Sequence, residues 1–318
     1  MKRKVFKCLI IVCISLFLIS SIAGTLVAAE KKVKIGIAFA SLESEFWQSM
    51  KGTAIEQLEK LGVDTTVVSA EDNITKQMAQ VEDLITKKVD AIILVAVDAE
   101  AIVPIVNVAD EEGIPLITLN RAISEKARDI CFVGSDNVLA GKMAARYIAE
   151  KLNGKGKVVI LNGPPETLNA RLRNEGFVSG LSEYPDIEIS TQKWGLVSRS
   201  VSMNYMEDIL TTFKEVDAVL TYSDFHSTGA ADAIISRNLQ NQIIIGSIDG
   251  TEEVARLMLG KNYPIIVTIA QDPKMMAKWS VLVAYEAAIG NKVPVIISTW
   301  LKGITPDNAE EYLSELSE

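Results

Sequence analysis

Cysteine, histidine and aromatic residues are scarce in this chain of 318 residues, and each shortage removes a class of function. Of three cysteines, Cys8 and Cys13 lie in an apolar N-terminal stretch, which leaves Cys131 alone in the rest of the chain. One thiol makes no internal disulfide, so stability has to come from a buried core. His226 is the only histidine. A single imidazole with no thiols at ligand spacing excludes the common zinc constellations. The run "SDFH" (223–226) sets Ser, Asp and His side by side, but adjacency in sequence is not triad geometry, and there is no G-x-S-x-G elbow. No phosphate loop G-x-x-x-x-G-K-[ST] and no G-x-G-x-x-G after a strand occurs; "NGKGK" (153–157) reads as a turn. The chain is therefore not expected to be an enzyme, and it calls for no cofactor or metal. Basic charge is short too: 32 Lys and Arg face 41 Asp and Glu, a formal net charge of −9. So acidic a surface argues against nucleic acid and anionic lipid as partners.

What is present begins with a leader. "MKRKVFK" is followed by an uncharged run from Cys8 to Ala29, closing on Leu26-Val27-Ala28-Ala29 before Glu30. A basic start, an apolar run and small residues at a boundary make a signal peptide over residues 1–29, cleaved after Ala29. The run is also long enough to span a bilayer, so an uncleaved anchor is the competing reading. Either way the chain is expected to be exported, to a periplasm or the outer face of the cytoplasmic membrane. Loss of the four basic leader residues takes the formal charge from −9 to −13.

From Lys32 onward strand and helix patterns alternate. Strand Val33–Ala40 precedes Phe46, Met50, Ala54, Leu58 and Leu61 at helical spacing, stopped by Gly62. Strand Val63–Val68, helix Thr75–Lys87, strand Ala91–Val97, helix Glu100–Glu112 and strand Leu116–Leu119 follow. Nearly all-apolar strands are those of parallel sheets covered on both faces, so the fold class is α/β.

The pattern then restarts. "KVKIGIAFASLESEFWQSMKG" (32–52) has a counterpart in "KGKVVILNGPPETLNARLRNEG" (155–176), and "VDAIILVAVD" (89–98) in "VDAVLTYSD" (216–224). The next strands end in "TLNRA" and "SIDGT", so Asn120 and Asp249 hold equivalent places in two similar halves. Two βαβ halves predict two lobes, and ligands of open α/β sheets bind outside the carboxyl ends of the strands. The last strand, Val295–Trp300, precedes a tail helix with Thr305 as its cap and Pro306 at its first position.

Seven stretches carry a resemblance: "EFWQSMKGTAIEQLEKLG" (45–62), "LNRA" (119–122), "VGSDNVLAGKMAARYIAEKL" (133–152), "NARLRNEGF" (169–177), "YSD" (222–224), "IDGT" (248–251) and "TIAQDP" (268–273). In that order they resemble the periplasmic sugar-binding proteins of ABC transporters, of the ribose-binding type, across essentially the whole mature chain. The resemblance implies a type I periplasmic binding protein: two similar Rossmann-like lobes with parallel sheets, joined by a three-strand hinge. The crossings would fall near Gly134–Asp136, Ala270–Asp272 and Ser298–Lys302. One lobe would take residues 33–134 plus 272–298, the other 135–271 plus 299–318. The implied function is capture of a small sugar or polyol by lobe closure and delivery to an ABC transporter permease, by a monomer. The alternative is a sensor of the same fold that reports to a signalling partner such as a membrane chemoreceptor.

The resemblance places Phe46, Trp47, Asn120, Arg121, Arg171, Ser223, Asp249 and Gln271 at the ligand cleft. Ser44 is a further candidate there, and Trp194, at the end of the strand Ile187–Trp194, is a candidate for the second sugar face although the family's aromatic falls where this chain reads Leu196-Val197. The residue types suit a sugar on their own chemistry: aromatics for C–H faces, and planar polar groups for an equator of hydroxyls. Plainer roles stand beside that one, and for Arg121 and Arg171 the plainer role is that of a solvated loop residue. Phe46 and Trp47 can be core, Asp249 a cap for the helix near Thr251, Asp224 a loop clamp, Gln271 a hinge hydrogen bond, and Arg173 a surface residue on another helix face. Asn120 stands where ribose binders usually carry an acid. A less neutralised Arg121 then points to a ligand with more acceptor character, such as an acidic or phosphorylated sugar.

Overall fold

A computed structural model describes residues 32–195, 198–260 and 262–317. The leader, and Leu196 and Val197 after Trp194, lie outside the described residues. Two six-stranded sheets carry the fold. The first contains β1 (Lys34–Phe39), β2 (Asp64–Ser69), β3 (Ala91–Leu94), β4 (Leu116–Leu119), β5 (Cys131–Ser135) and β11 (Ile296–Thr299), in the order β11-β5-β4-β3-β1-β2. The second contains β6 (Lys155–Leu161), β7 (Asp186–Lys193), β8 (Ala218–Thr221), β9 (Ile244–Asp249), β10 (Ile265–Ala270) and β12 (Lys302–Ile304), in the order β12-β10-β9-β8-β6-β7. The two orders match place for place. Every pairing is parallel except β12 on β10.

Burial explains the apolar runs. Central strands β3, β4 and β8 are buried at every residue, because helices cover both faces. The edge strand β2 is only partly covered and accordingly mixes Thr, Ser and Asp with Val. Ten helices among the described residues complete the layers: α1 (Glu45–Lys60), α2 (Ile74–Thr86), α3 (Val103–Glu111), α4 (Asn137–Lys151), α5 (Leu168–Leu181), α6 (Arg199–Thr212), α7 (Asp224–Ser236), α8 (Glu252–Met258), α9 (Pro273–Ala288) and α10 (Ala309–Ser317). The tail helix starts later than its sequence suggests. Thr305 and Pro306 belong to a turn closed by Thr305 N–H donating to Asn308 Oδ1 at 2.7 Å, and α10 begins after Asn308.

The chain passes between the sheets three times. After β5, Asp136 accepts from Leu139 N–H and starts α4, which packs on β9 and β10. After β10, Asp272 accepts from Met275 N–H and starts α9, with Pro273 in its first turn; α9 packs back on α1, β3 and β4. The third passage joins β11 to β12. An N-cap Asp at the first two switches ends the strand and satisfies orphan amides at once. Ser135 and Thr299 hydroxyls, 2.9 Å apart, tie the first passage to the third. Cys131 sits in β5, buried, and burial pushes its thiol up to about 11, so it stays a protonated core residue.

Candidate functional site

The carboxyl ends of both sheets open onto one cavity of about 180 Å³. One water takes roughly 10–15 Å³ on this scale, so the space holds on the order of a dozen atoms, the heavy-atom count of a pentose or hexose.

From the first sheet, the β1–α1 loop brings Ser41, Glu43 and Ser44 to the cavity, and the first turn of α1 brings Phe46 and Trp47. The two rings meet edge to face, centroids 5.2 Å apart at 88°, so a helix start presents both. Phe46, 7% exposed, also belongs to the core while lining the cavity. Just past β4, Asn120 adopts φ +58°, a left-handed conformation that Asn tolerates better than most side chains. Its backbone N–H still donates to Val133 O at 2.7 Å, and its amide reaches Met276 Sδ at 3.6 Å. Arg121 then turns inward, only 9% exposed. Its guanidinium lies 5.3 Å from the Trp47 ring centroid, donates from Nη1 to Ala96 O at 3.1 Å, and leaves Nε without a protein partner.

Asn120 brings no charge to Arg121; the carboxylate facing this cation is that of Asp72, from the loop between β2 and α2, whose Oδ1 lies 3.7 Å from Nη1. Asp72 and Glu71 both have φ +55°, so the loop takes a backbone rare for these residues in order to reach the rim.

The second sheet supplies a buried network. Arg173, on α5 and 2% exposed, donates from Nε to Asn137 Oδ1 at 2.8 Å and from Nη1 to Tyr222 O at 2.7 Å and Asp249 Oδ1 at 3.3 Å. Its guanidinium also sits 4.9 Å from the Tyr222 ring centroid. Asp249 closes β9 with φ +131° and accepts from Gln271 Nε2 at 2.9 Å. Burial pushes its carboxyl up to about 7; Arg173 opposes the shift and the nearby Asp224 adds to it. Asp224 itself is buried and accepts from Thr251 N–H and hydroxyl and from Thr268 hydroxyl, so it clamps the loop. The cap of α8 is Thr251, which frees Asp249 for the cavity.

Three expected residues fall elsewhere. Arg171 does not line the cavity; its Nη1 donates to Pro165 O at 2.7 Å. Two residues along a helix turn the side chain by about 200°, so Arg171 and Arg173 cannot share a face. α5 presses the face of Arg173, Gly176 and Gly180 against α4, where a Cβ on Gly176 would collide with Val138 O and Lys142 N. That close approach sets Arg173 beside Asn137, and Arg173 is an inward residue rather than a surface one. Trp194 follows edge strand β7, away from the central strand ends; its carbonyl accepts from Tyr205 hydroxyl at 3.4 Å and it does not line the cavity. Gln271 stands behind the cavity wall, positioning Asp249.

Other lining residues were not singled out from sequence for this place: His226 and Phe225 at the start of α7, Tyr222, Asn169, Asp72 and Glu166. His226 had a signal, since it lies three residues after Ser223 at a helix start and so falls on the same face. Its Nδ1 is 2.6 Å from Ser223 Oγ. Among the described residues no group of three or more His, Cys, Asp or Glu is placed to hold a metal.

Residues 35–292 match the model of the periplasmic binding protein domain family. The chain belongs to that family. Its members are binding proteins, not enzymes. The chain is 30% identical over 273 residues to the ribose import binding protein RbsB of Bacillus subtilis strain 168, covering 86% of this chain and 87% of that protein. Among solved structures, a solute-binding protein of an ABC transporter from Bacillus halodurans C-125, with bound myo-inositol, shares 32% identity at TM-score 0.83 and covers 89% of this chain and 98% of that one. A corresponding protein from Actinobacillus succinogenes 130z, with bound D-allose, shares 26% identity at TM-score 0.82, over 88% and 100%. The family also implies an exported, periplasmic setting. Among the described residues no helix is long and apolar enough to cross a membrane.

Proposed function

We propose that this chain is an exported receptor for a neutral sugar or polyol, which it captures between two lobes and delivers to the permease of an ABC importer. The observation that carries the reading is the convergence of strand-end residues from both sheets on one monosaccharide-sized cavity. There an aromatic pair meets two buried arginines, one of them already paired with Asp249. The aromatic pair suits a C–H face, and the guanidiniums and carboxylate suit a rim of hydroxyls. Charge favours a neutral ligand over an acidic or phosphorylated one: Glu43, Asp72, Glu166 and Asp249 line the cavity against Arg121 and Arg173.

The lobes, 33–134 plus 272–298 and 135–271 plus 299–318, are joined through the three passages near 135, 271 and 300. Ligand bound to one lobe completes its hydrogen bonds with the other, and shifts an open–closed equilibrium by its differential affinity for the closed form. The rims already touch, Ala99 N–H donating to Glu166 O at 3.2 Å. Native mass spectrometry of the purified protein, followed by calorimetry with D-ribose, myo-inositol, D-allose, D-xylose and xylitol, tests the reading. We expect a retained mass in the monosaccharide range and binding of at least one of these neutral compounds. Binding of sugar phosphates alone would overturn it.

A further inference from the structure

We propose that His226 is a specificity-determining ligand contact, whose ring is set by Ser223 so that Nε2 accepts a hydrogen bond from a ligand hydroxyl. This rests on the sugar-binding reading above.

Three independent features lead there. His226 lines the cavity, on the side of Tyr222 where Arg173 also packs, yet is only 6% exposed. One ring nitrogen is spoken for, Nδ1 lying 2.6 Å from Ser223 Oγ. The other, Nε2, is buried with no protein hydrogen-bond partner. A buried polar atom left unpaired costs free energy, and a cavity wall is where a ligand supplies the missing partner. The ring is not free to swing away, being packed edge to face on Phe225 (centroids 5.4 Å) and against Tyr222 (5.7 Å).

The direction of the bond follows from what surrounds the ring. Burial, then Arg173 and Arg121, push the imidazole down to about 3, so it is neutral and carries one N–H. In one tautomer Ser223 spends its proton on Nδ1, and Nε2–H is left facing a region of positive potential. In the other, Nδ1–H donates to Ser223 Oγ and the Nε2 lone pair faces that potential, which is the favourable arrangement. The Ser223 proton is then also free for the ligand. The pair thus offers one acceptor and one donor in a wall otherwise rich in guanidinium donors, a match for adjacent hydroxyls on a ring.

Because His226 is the only histidine, ¹⁵N-histidine labelling of the intact protein gives one pair of ring signals. We expect the Nδ1–H tautomer, with the unprotonated Nε2 signal moving upfield on addition of whichever of D-ribose, myo-inositol or D-allose binds best. His226→Phe should weaken that compound by at least about tenfold, and should no longer distinguish it from the deoxy analogue lacking the contacted hydroxyl. A wild-type protein that binds the sugar with the Nε2 signal unmoved, or with Nε2 protonated, overturns the inference whatever the variant does. Failure of the wild type to bind any of the three neutral compounds instead overturns the functional reading, and this inference with it.

Discussion

Arg121 and Arg173 face the same cavity from the two halves of a duplicated fold, and they are held in opposite ways. Arg173 comes from a helix and is locked by Asn137, Tyr222 and Asp249 at 2.7–3.3 Å, at 2–12% side-chain or residue exposure for itself and Asp249. Arg121 comes from a strand end, rests on Trp47, and has its counter-ion at 3.7 Å on a side chain that is 56% exposed. The second half is a prebuilt polar network; the first is an aromatic shelf with a loosely neutralised cation. Equal topology thus does not mean equal electrostatics, and removing a charge should cost stability in one half and chiefly affinity in the other.

Arg173→Leu should have the largest effect. It strips a buried carboxylate of its cation, so about 3–5 kcal/mol of unfolding free energy should be lost in urea titrations; a loss under ~1 kcal/mol would erase the contrast between the halves. Arg121→Ala should reduce affinity for the bound neutral sugar by roughly 2–3 kcal/mol in calorimetry, through loss of charge-assisted bonds, while the urea midpoint barely moves. Asp72→Asn comes next, at about 0.5–1 kcal/mol of affinity, because the pair is exposed and screened. That effect should fade as salt is raised, and a salt-independent loss would show Asp72 to be a direct contact instead. Arg171→Ala should be silent in both measurements, within about 0.5 kcal/mol. A clear loss of affinity there would return the site to the other face of α5.

The same contrast shows what was legible beforehand. Asn120 and Asp249 were legible because strand ends in parallel sheets deliver their residues to one edge, and the restart of the pattern made the two positions equivalent. Phe46 and Trp47 at the cleft are what the resemblance implies; the helical spacing of Phe46, Met50, Ala54 and Leu58 by itself reads equally as core. The resemblance points to Arg171, and the sequence alone does not correct it to Arg173, because Gly176 and Gly180 mark the packed face of α5 by the absence of side chains. Trp194 drew attention as a strand-end aromatic, but its strand is an edge strand, and strand order is not written in the strand's own residues. Asp72 left no local trace, since its approach to Arg121 depends on a left-handed loop meeting a strand almost fifty residues further on.

By itself the sequence determined the alternation of elements, the doubling of the pattern, the parallel sheets and the strand-end positions, because hydrophobic period and chain connectivity are local properties. Only the tertiary structure decided which arginine enters the cavity, which carboxylate neutralises the other, and that His226 stands in the wall with Nε2 unpartnered. Those depend on the approach of α5 to α4 and on loops brought together across long stretches of chain, where distances of a few ångströms set burial and hence charge.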